Sequence, residues 1–379
     1  MQIVIGGDLV PTQSNVQFFI KGDMNILIGE KCQKILKESD FNIFNLECPL
    51  CSKFSPIAKC GPNLMAPIES IFGIAKLPAS IVGLANNHIL DQGWQGLEQT
   101  MNVLSANKIS YLGAGKNFQE ARKPIIIGKY GLKVGLYACA EHEFSIATEN
   151  SGGANPFNAL DISDEIVKLK RQCDHLIVLY HGGKEYYRYP SPMLQKRCRK
   201  MIEKGADLVI CQHSHCIGCR EEYQRGKIIY GQGNFIFDRW PMSNPFTYSS
   251  FLLKVDVGSE LAVTEIPIIR YGSGIHIAEG SERENILHDY RMRSKAINDE
   301  NFLQNEYKKF AVHKLNEYLS AFLGKNLILK GVNKIMGHRL VSNLLNQNSY
   351  LMIQNFLECE AHHELFLNGI KNRAEKLGK

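Results

Sequence analysis

Five short apolar runs, each rich in β-branched residues and each ending abruptly in a carboxylate, amide or imidazole, constrain the fold of this chain more than any other feature. Ile3-Val-Ile-Gly-Gly closes on Asp8, and Phe41-Asn-Ile-Phe closes on Asn45 and Glu47. Ser80-Ile-Val-Gly-Leu-Ala closes on Asn86-Asn87-His88, Leu176-Ile-Val-Leu-Tyr on His181, and Leu208-Val-Ile on Cys211-Gln-His213-Ser-His215. Runs of this length between turn residues read as strands buried on both faces. Polar groups at their C-terminal ends would converge on one edge of a sheet.

The converging inventory is Asp, Glu, Asn and three His. These oxygen and nitrogen donors suit Zn, Mn or Fe in a two-metal hydrolytic site. Each residue taken singly has a structural alternative: Asp8 closing a turn, Asn87 capping the following helix, His181 a satisfied half-buried histidine. Five clusters built on one design favour the metal site over five coincidences.

The motifs also carry a resemblance. They are Gly7-Asp8, Asn45-Leu-Glu47-Cys-Pro49, Ala85-Asn-Asn-His-Ile-Leu-Asp91-Gln-Gly93 and Gly113-Ala-Gly115 through Glu120-Ala121. They continue with His181-Gly-Gly183-Lys-Glu185-Tyr186, Gly205-Ala-Asp207 through His213-Ser-His215, and Gly233-Asn234-Phe-Ile-Phe-Asp238. In this order, over residues 1–275, the chain resembles the CapA family of poly-gamma-glutamate capsule-synthesis proteins, within the metallophosphoesterase-like superfamily. The resemblance implies an α/β fold, a four-layer α/β/β/α sandwich, with Asp8, Glu47, Asn87, His181, His213 and His215 as metal ligands and Glu47 bridging. One or two divalent ions (Mn, Zn or Fe) would sit there. His88 would be the proton donor beside them, oriented by Asp91. Glu185 would contribute as an outer ligand or orient His181, with a salt bridge at a helix start as its structural alternative.

Two departures from the pattern stand out. Phosphoesterases commonly show Gly-Asp-x-His at the first motif, and Val10 stands where that His would be. Gly182 replaces an expected aromatic residue, and Gln212 and Ser214 replace the His and Pro that usually surround the first His of the last pair. None removes an implied ligand. The expected function is a metal-dependent hydrolase in capsule or cell-envelope polymer biosynthesis, acting on a phosphoester, amide or ester of an anionic small molecule or polymer. The alternative is a non-catalytic assembly factor that keeps the fold.

Composition sets the outer bounds. With 44 basic against 38 acidic residues the charge is +6, modest for 379 residues, and no stripe of basic and aromatic residues accompanies it. A nucleic-acid partner is not expected. The eleven cysteines, an odd number with no secretory signal, favour reduced thiols in a cytoplasmic protein. Cys48-Pro-Leu-Cys51 and Cys216-Ile-Gly-Cys219 each begin where a metal motif ends and lie too far apart for a zinc ribbon. No run approaches the roughly 18 apolar residues of a membrane span. Helical periodicity alternates with strands in the first half, antiparallel strand signals flank Gly258, and a Gly-rich stretch at Gly272–Gly280 places a boundary between a domain of residues 1–280 and a helical region of residues 281–379. The amphipathic helices of that region suit packing on the catalytic domain or on a protein partner.

Overall fold

The computed structural model describes residues 1–78, 80–237, 244–324 and 326–378. Asp238, which closes the seventh motif, lies outside the described residues. The chain divides into two compact units, Met1–Leu303 and Gln304–Lys379.

The first unit carries the strands β1 (Gln2–Leu9), β2 (Phe41–Leu46), β3 (Ser80–Gly83), β4 (Ser110–Leu112), β5 (Ala114–Gly115), β6 (Ile125–Lys129), β7 (Leu132–Ala140) and β8 (Gly153–Ala154). They are followed by β9 (His175–His181), β10 (Leu208–Gln212), β11 (Ile217–Tyr223), β12 (Gly226–Gln232), β13 (Asn234–Ile236), β14 (Ser249–Val257), β15 (Leu261–Tyr271) and β16 (Gly274–Ile277). One sheet runs β16-β15-β14-β1-β2-β3-β4, with β13 also on β1, and the other runs β11-β12-β10-β9-β7-β6.

Side-chain alternation shows how the sheets stack. On β9, Ile177 and Leu179 join Ile3, Ile5 and Ile43 in the core between the sheets. Leu176, Val178 and Tyr180 point the other way, against Ile166 and Leu169 of the helix Ile162–Lys170 and against Leu194 and Met201 of the helix Pro192–Glu203. β10 repeats the pattern, with Leu208 and Ile210 inward and Val209 and Cys211 toward the helices. On the first sheet the helices Met24–Glu38 and Gly93–Ala106 bury Leu27, Leu36, Leu97 and Leu104. The four-layer α/β/β/α sandwich is thus formed, and the antiparallel β14-β15 hairpin flanks Gly258 as its turn residues require.

The central strands are parallel within each sheet: β1-β2-β3 in the first, and β7-β9-β10-β12 in the second. Parallel pairing puts all their C-terminal ends on one edge, which is why a motif at each strand end becomes one site. Gly7 tightens this edge. A Cβ there would lie 1.8 Å from the Gly233 carbonyl oxygen, so only glycine lets β13 pair beside Asp8 with Asn234 opposite it.

The boundary falls after Leu303 rather than after residue 280. The helix Gly280–Ala296 beyond the Gly-rich stretch buries Tyr290 and Arg293, with the Arg293 guanidinium donating to the Gly218 carbonyl of β11. The second unit ends in three helices, Leu340–Leu344, Gln347–Glu358 and Glu360–Gly378. Asn346 turns out of the helix and caps the next one by accepting from the Ser349 N–H.

Candidate metal centre

All six implied ligands meet at the shared strand edge, and all are buried. Asp8 lies in the last pleat of β1, one residue before its end and in register with Asn45 on β2, and His181 ends β9 in register with Gln212 on β10. Beyond β10 the chain passes through His213 at φ 84° and His215 at φ 54°, left-handed conformations rarely adopted by side-chain-bearing residues. This conformational cost is borne at the site that gathers the two imidazoles.

Two groups of donors share one carboxylate. His181 Nε2 lies 3.0 Å from Asn87 Oδ1 and 3.3 Å from Glu47 Oε1. His215 Nδ1 lies 3.3 Å from Asp8 Oδ2 and 3.9 Å from Glu47 Oε2. Glu47 therefore faces both groups, one oxygen to each. Ligand atoms of Glu47, His213 and His215 fall within 4.8 Å of one another. Two ligands bound about 2.1 Å from one cation stand about 3.0–3.4 Å apart, which the His181–Asn87 and His181–Glu47 spacings match, while His215 Nδ1 faces the Asn234 amide oxygen and leaves Nε2 free for a cation.

The unsatisfied atoms make the same point. Asp8 Oδ2, both Glu47 carboxylate oxygens, His213 Nδ1 and His215 Nε2 are buried without a hydrogen-bond partner. Burying an unpaired acceptor costs about 1–3 kcal/mol, more when it is charged, and here several share one small volume. Divalent cations would satisfy them together.

The electrostatics favour positive charge on the Asp8 side, where a cation would displace the His215 proton. Burial alone would lift the Asp8 carboxyl, but the adjacent His215 imidazole, the charge of His181 and the hydrogen bond from Asn45 hold it below its usual range. Burial disfavours charge on His215, yet Glu47 and Asp8 outweigh it and raise the imidazole to about 9. His213 goes the other way. Burial and the neighbouring His181 and His215 push it well below the ordinary imidazole range, leaving it neutral and suited to coordination.

His88 is held beside this group. Its Nδ1 lies 2.6 Å from Asp91 Oδ2, and its backbone N–H donates to Asn86 Oδ1. Asp91 also accepts from Lys59 Nζ and from the Leu64 N–H, so residues of the Cys51–Leu64 segment strap over the Asn86–Gln92 turn. Glu185 lies in a half-buried turn well before the helix that starts at Pro192, so a helix-start salt bridge does not describe it. It acts on the centre as a charge that helps raise His215.

Several residues beyond the six implied ligands take part. Asn45 donates to Asp8 and lies 3.3 Å from His181 Nδ1, and Asn234 Oδ1 lies 2.8 Å from His215 Nδ1. Glu143 accepts from Asn87 Nδ2 at 3.3 Å and lies 3.7 Å from His213 Nε2. The signal for Glu143 was present, since Val134–Ala140 is a sixth apolar run ending in Glu141-His-Glu143. Lys59 had none; it sits in a loop without periodicity. The Gly182 departure has a local cause: a Cβ there would lie 2.6 Å from the Glu141 side chain, which fills the space an aromatic residue would need.

The chain is similar to known proteins over part of its length. The chain is 29% identical over 213 residues to the capsule biosynthesis protein CapA of Bacillus anthracis, covering 54% of this chain and 52% of that protein. It is 27% identical over 247 residues to the PGA biosynthesis protein CapA of Bacillus subtilis (strain 168), covering 64% and 65%. The chain thus spans between about half and two thirds of the length of these curated relatives. Among solved structures, it is similar to a hypothetical protein from Thermus thermophilus (TM-score 0.45, 11% identity, 72% of this chain and 100% of that one). It is also similar to the NAD nucleotidase of Haemophilus influenzae (TM-score 0.43, 13% identity, 76% and 61%). The family described as bacterial capsule synthesis protein PGA_cap matches residues 2–239, more than half of the chain, and the chain belongs to that family.

Proposed function

We propose that this protein is a metal-dependent hydrolase of capsule or cell-envelope polymer biosynthesis, cleaving a phosphoester, amide or ester bond in an anionic small molecule or polymer. The observation that carries the reading is the cluster of buried, unpartnered donor atoms on Asp8, Glu47, His213 and His215, completed by Asn87 and His181. Asp8 and His215 would hold one cation and Asn87, His181 and His213 the other, with one Glu47 oxygen offered to each. When bound, Mn, Zn or Fe supplies stabilisation of charge developing on the attacked group and lowers the pKa of water.

The remaining roles fall to the protein. Asp91 occupies Nδ1 of His88, which leaves Nε2 to hand a proton to the leaving oxygen. Asn45 and Asn234 hold Asp8 and His215 in place, and Glu143 holds Asn87 and His213. Glu185 adds negative charge near His215 and favours a cation on the Asp8 side.

One observation keeps an assembly-factor reading in play. Val10 is buried and apolar, so the Asp8 side of the centre has one donor fewer than a Gly-Asp-x-His motif would provide. Metal stoichiometry by elemental mass spectrometry on wild type, His213→Ala and Glu47→Ala, followed by hydrolysis assays on phosphoesters and poly-gamma-glutamate, separates the two. One to two ions per chain, lost in both variants and accompanied by turnover, support the hydrolase. Metal without turnover on any of these substrates supports the assembly factor, and wild type that cannot be loaded overturns the metal centre itself.

A further inference from the structure

The unit Gln304–Lys379 contains a helix that is turned inside out. In Leu327–Ile335 the buried residue is Asn333, 3% exposed, whose side chain donates to Ser320 and accepts from the Leu340 N–H. Its apolar residues face outward instead: Leu327 is 82% exposed, Ile328 79% and Ile335 87%. A helix folded for water alone would place these the other way round.

The charge pattern around it is equally one-sided. Between Glu317 and Glu358 there is no Asp or Glu, while Lys325, Lys330, Lys334 and Arg339 fall in that interval. The whole chain carries 38 acidic residues in 379, so an acid-free interval this long is a local bias. Exposed Leu and Ile beside Lys, with no acid, is the composition of a helix lying in a membrane interface. Among the described residues no helix is long and apolar enough to cross a membrane.

We propose that the outward face of Leu327–Ile335 seats this unit on an anionic lipid surface, with Lys330 and Lys334 meeting the headgroups. A second copy of the chain is disfavoured as the occupant, because it would bring the same acid-free cationic segment against itself. An anionic bilayer offsets that charge and accepts the apolar side chains together.

Flotation of the full chain with vesicles of phosphatidylcholine alone, or with phosphatidylglycerol added, tests the assignment at low and high salt. The expected result is partition onto the anionic vesicles, weakening with salt, and little onto the neutral ones. Each of Lys330→Gln and Lys334→Gln should reduce partition about fivefold, the equivalent of about 1 kcal/mol per cation near the surface. Ile328→Ser with Ile335→Ser should reduce it at least tenfold, with an unchanged circular dichroism spectrum. Equal binding to both vesicle types, no binding to either, or an Ile variant that binds like wild type would overturn the proposal. So would a wild-type dimer in sedimentation that the Ile variant dissociates, which would assign the face to a second copy.

Discussion

The Lys59 ammonium lies 2.5 Å from Asp91 Oδ1 with both side chains closed off from solvent, 2% and 0% exposed, although 32 residues separate them in sequence. Removing Lys59 takes an ammonium from the buried Asp91 carboxylate, which keeps its His88 and Leu64 contacts, at a cost of up to about 3–5 kcal/mol. Lys59→Met should therefore destabilise the protein by that order, read from its urea midpoint. Lys59→Met combined with Asp91→Asn should recover part of the loss. Equal stability of Lys59→Met and wild type would show that the strap does not depend on this contact.

Metal should stabilise the fold through the same atoms that lack partners without it. Chelator-treated protein is expected to melt below the reloaded form, with a gain of about 2.7 kcal/mol at a hundredfold excess of ion over its dissociation constant. His213→Ala should lose most of this gain. Differential scanning calorimetry with Mn, Zn and Fe measures it, and identical melting with and without every ion would count against the centre.

Glu143 touches two residues of one proposed ion, Asn87 and His213, without being nominated as a ligand itself. Outer carboxylates of this kind are worth about 10- to 100-fold in metal affinity. Glu143→Gln keeps the shape and removes the charge, and chelator competition should show a loss in that range. An affinity unchanged by the substitution would make Glu143 a bystander.

The sandwich was readable because buried parallel strands leave an unusual trace, an apolar run stopped by one polar residue, and β1, β2, β3, β9 and β10 all carry it. The ligand positions inherit that legibility. Asn45 and Asn234 were visible within motifs, but their roles depend on which strands are neighbours, which a linear pattern does not encode. Lys59 was invisible because its pairing with Asp91 is set by a loop path. The helix Pro192–Glu203 was overlooked although Ser191 caps it and Pro192 opens it, since its many basic residues mask the apolar stripe of Leu194, Cys198 and Met201. The boundary after residue 280 followed the Gly-rich turn, whereas the helix behind that turn docks through Tyr290 and Arg293.

The buried thiols give a pH dependence whose sign can be worked out. Burial pushes Cys32 up from 9.0 to about 12 and Cys216 up to about 11, and both are fully enclosed. An unfolded thiol releases its proton near 9 while the folded one keeps it, so the folded state binds more protons in between. Stability from these groups is thus complete below pH 9 and is lost as pH rises toward 11 for Cys216 and 12 for Cys32, by about 1.4 kcal/mol per pH unit per thiol. Cys32→Val should flatten the decline of the urea midpoint between pH 9 and 11 by about that slope. In the native protein at pH 8, exposed Cys60 should react with a disulfide reagent well before Cys32 or Cys216. Native labelling of Cys32 as fast as Cys60 would mean that the helix Met24–Glu38 opens readily, and the alkaline slope should then vanish with it.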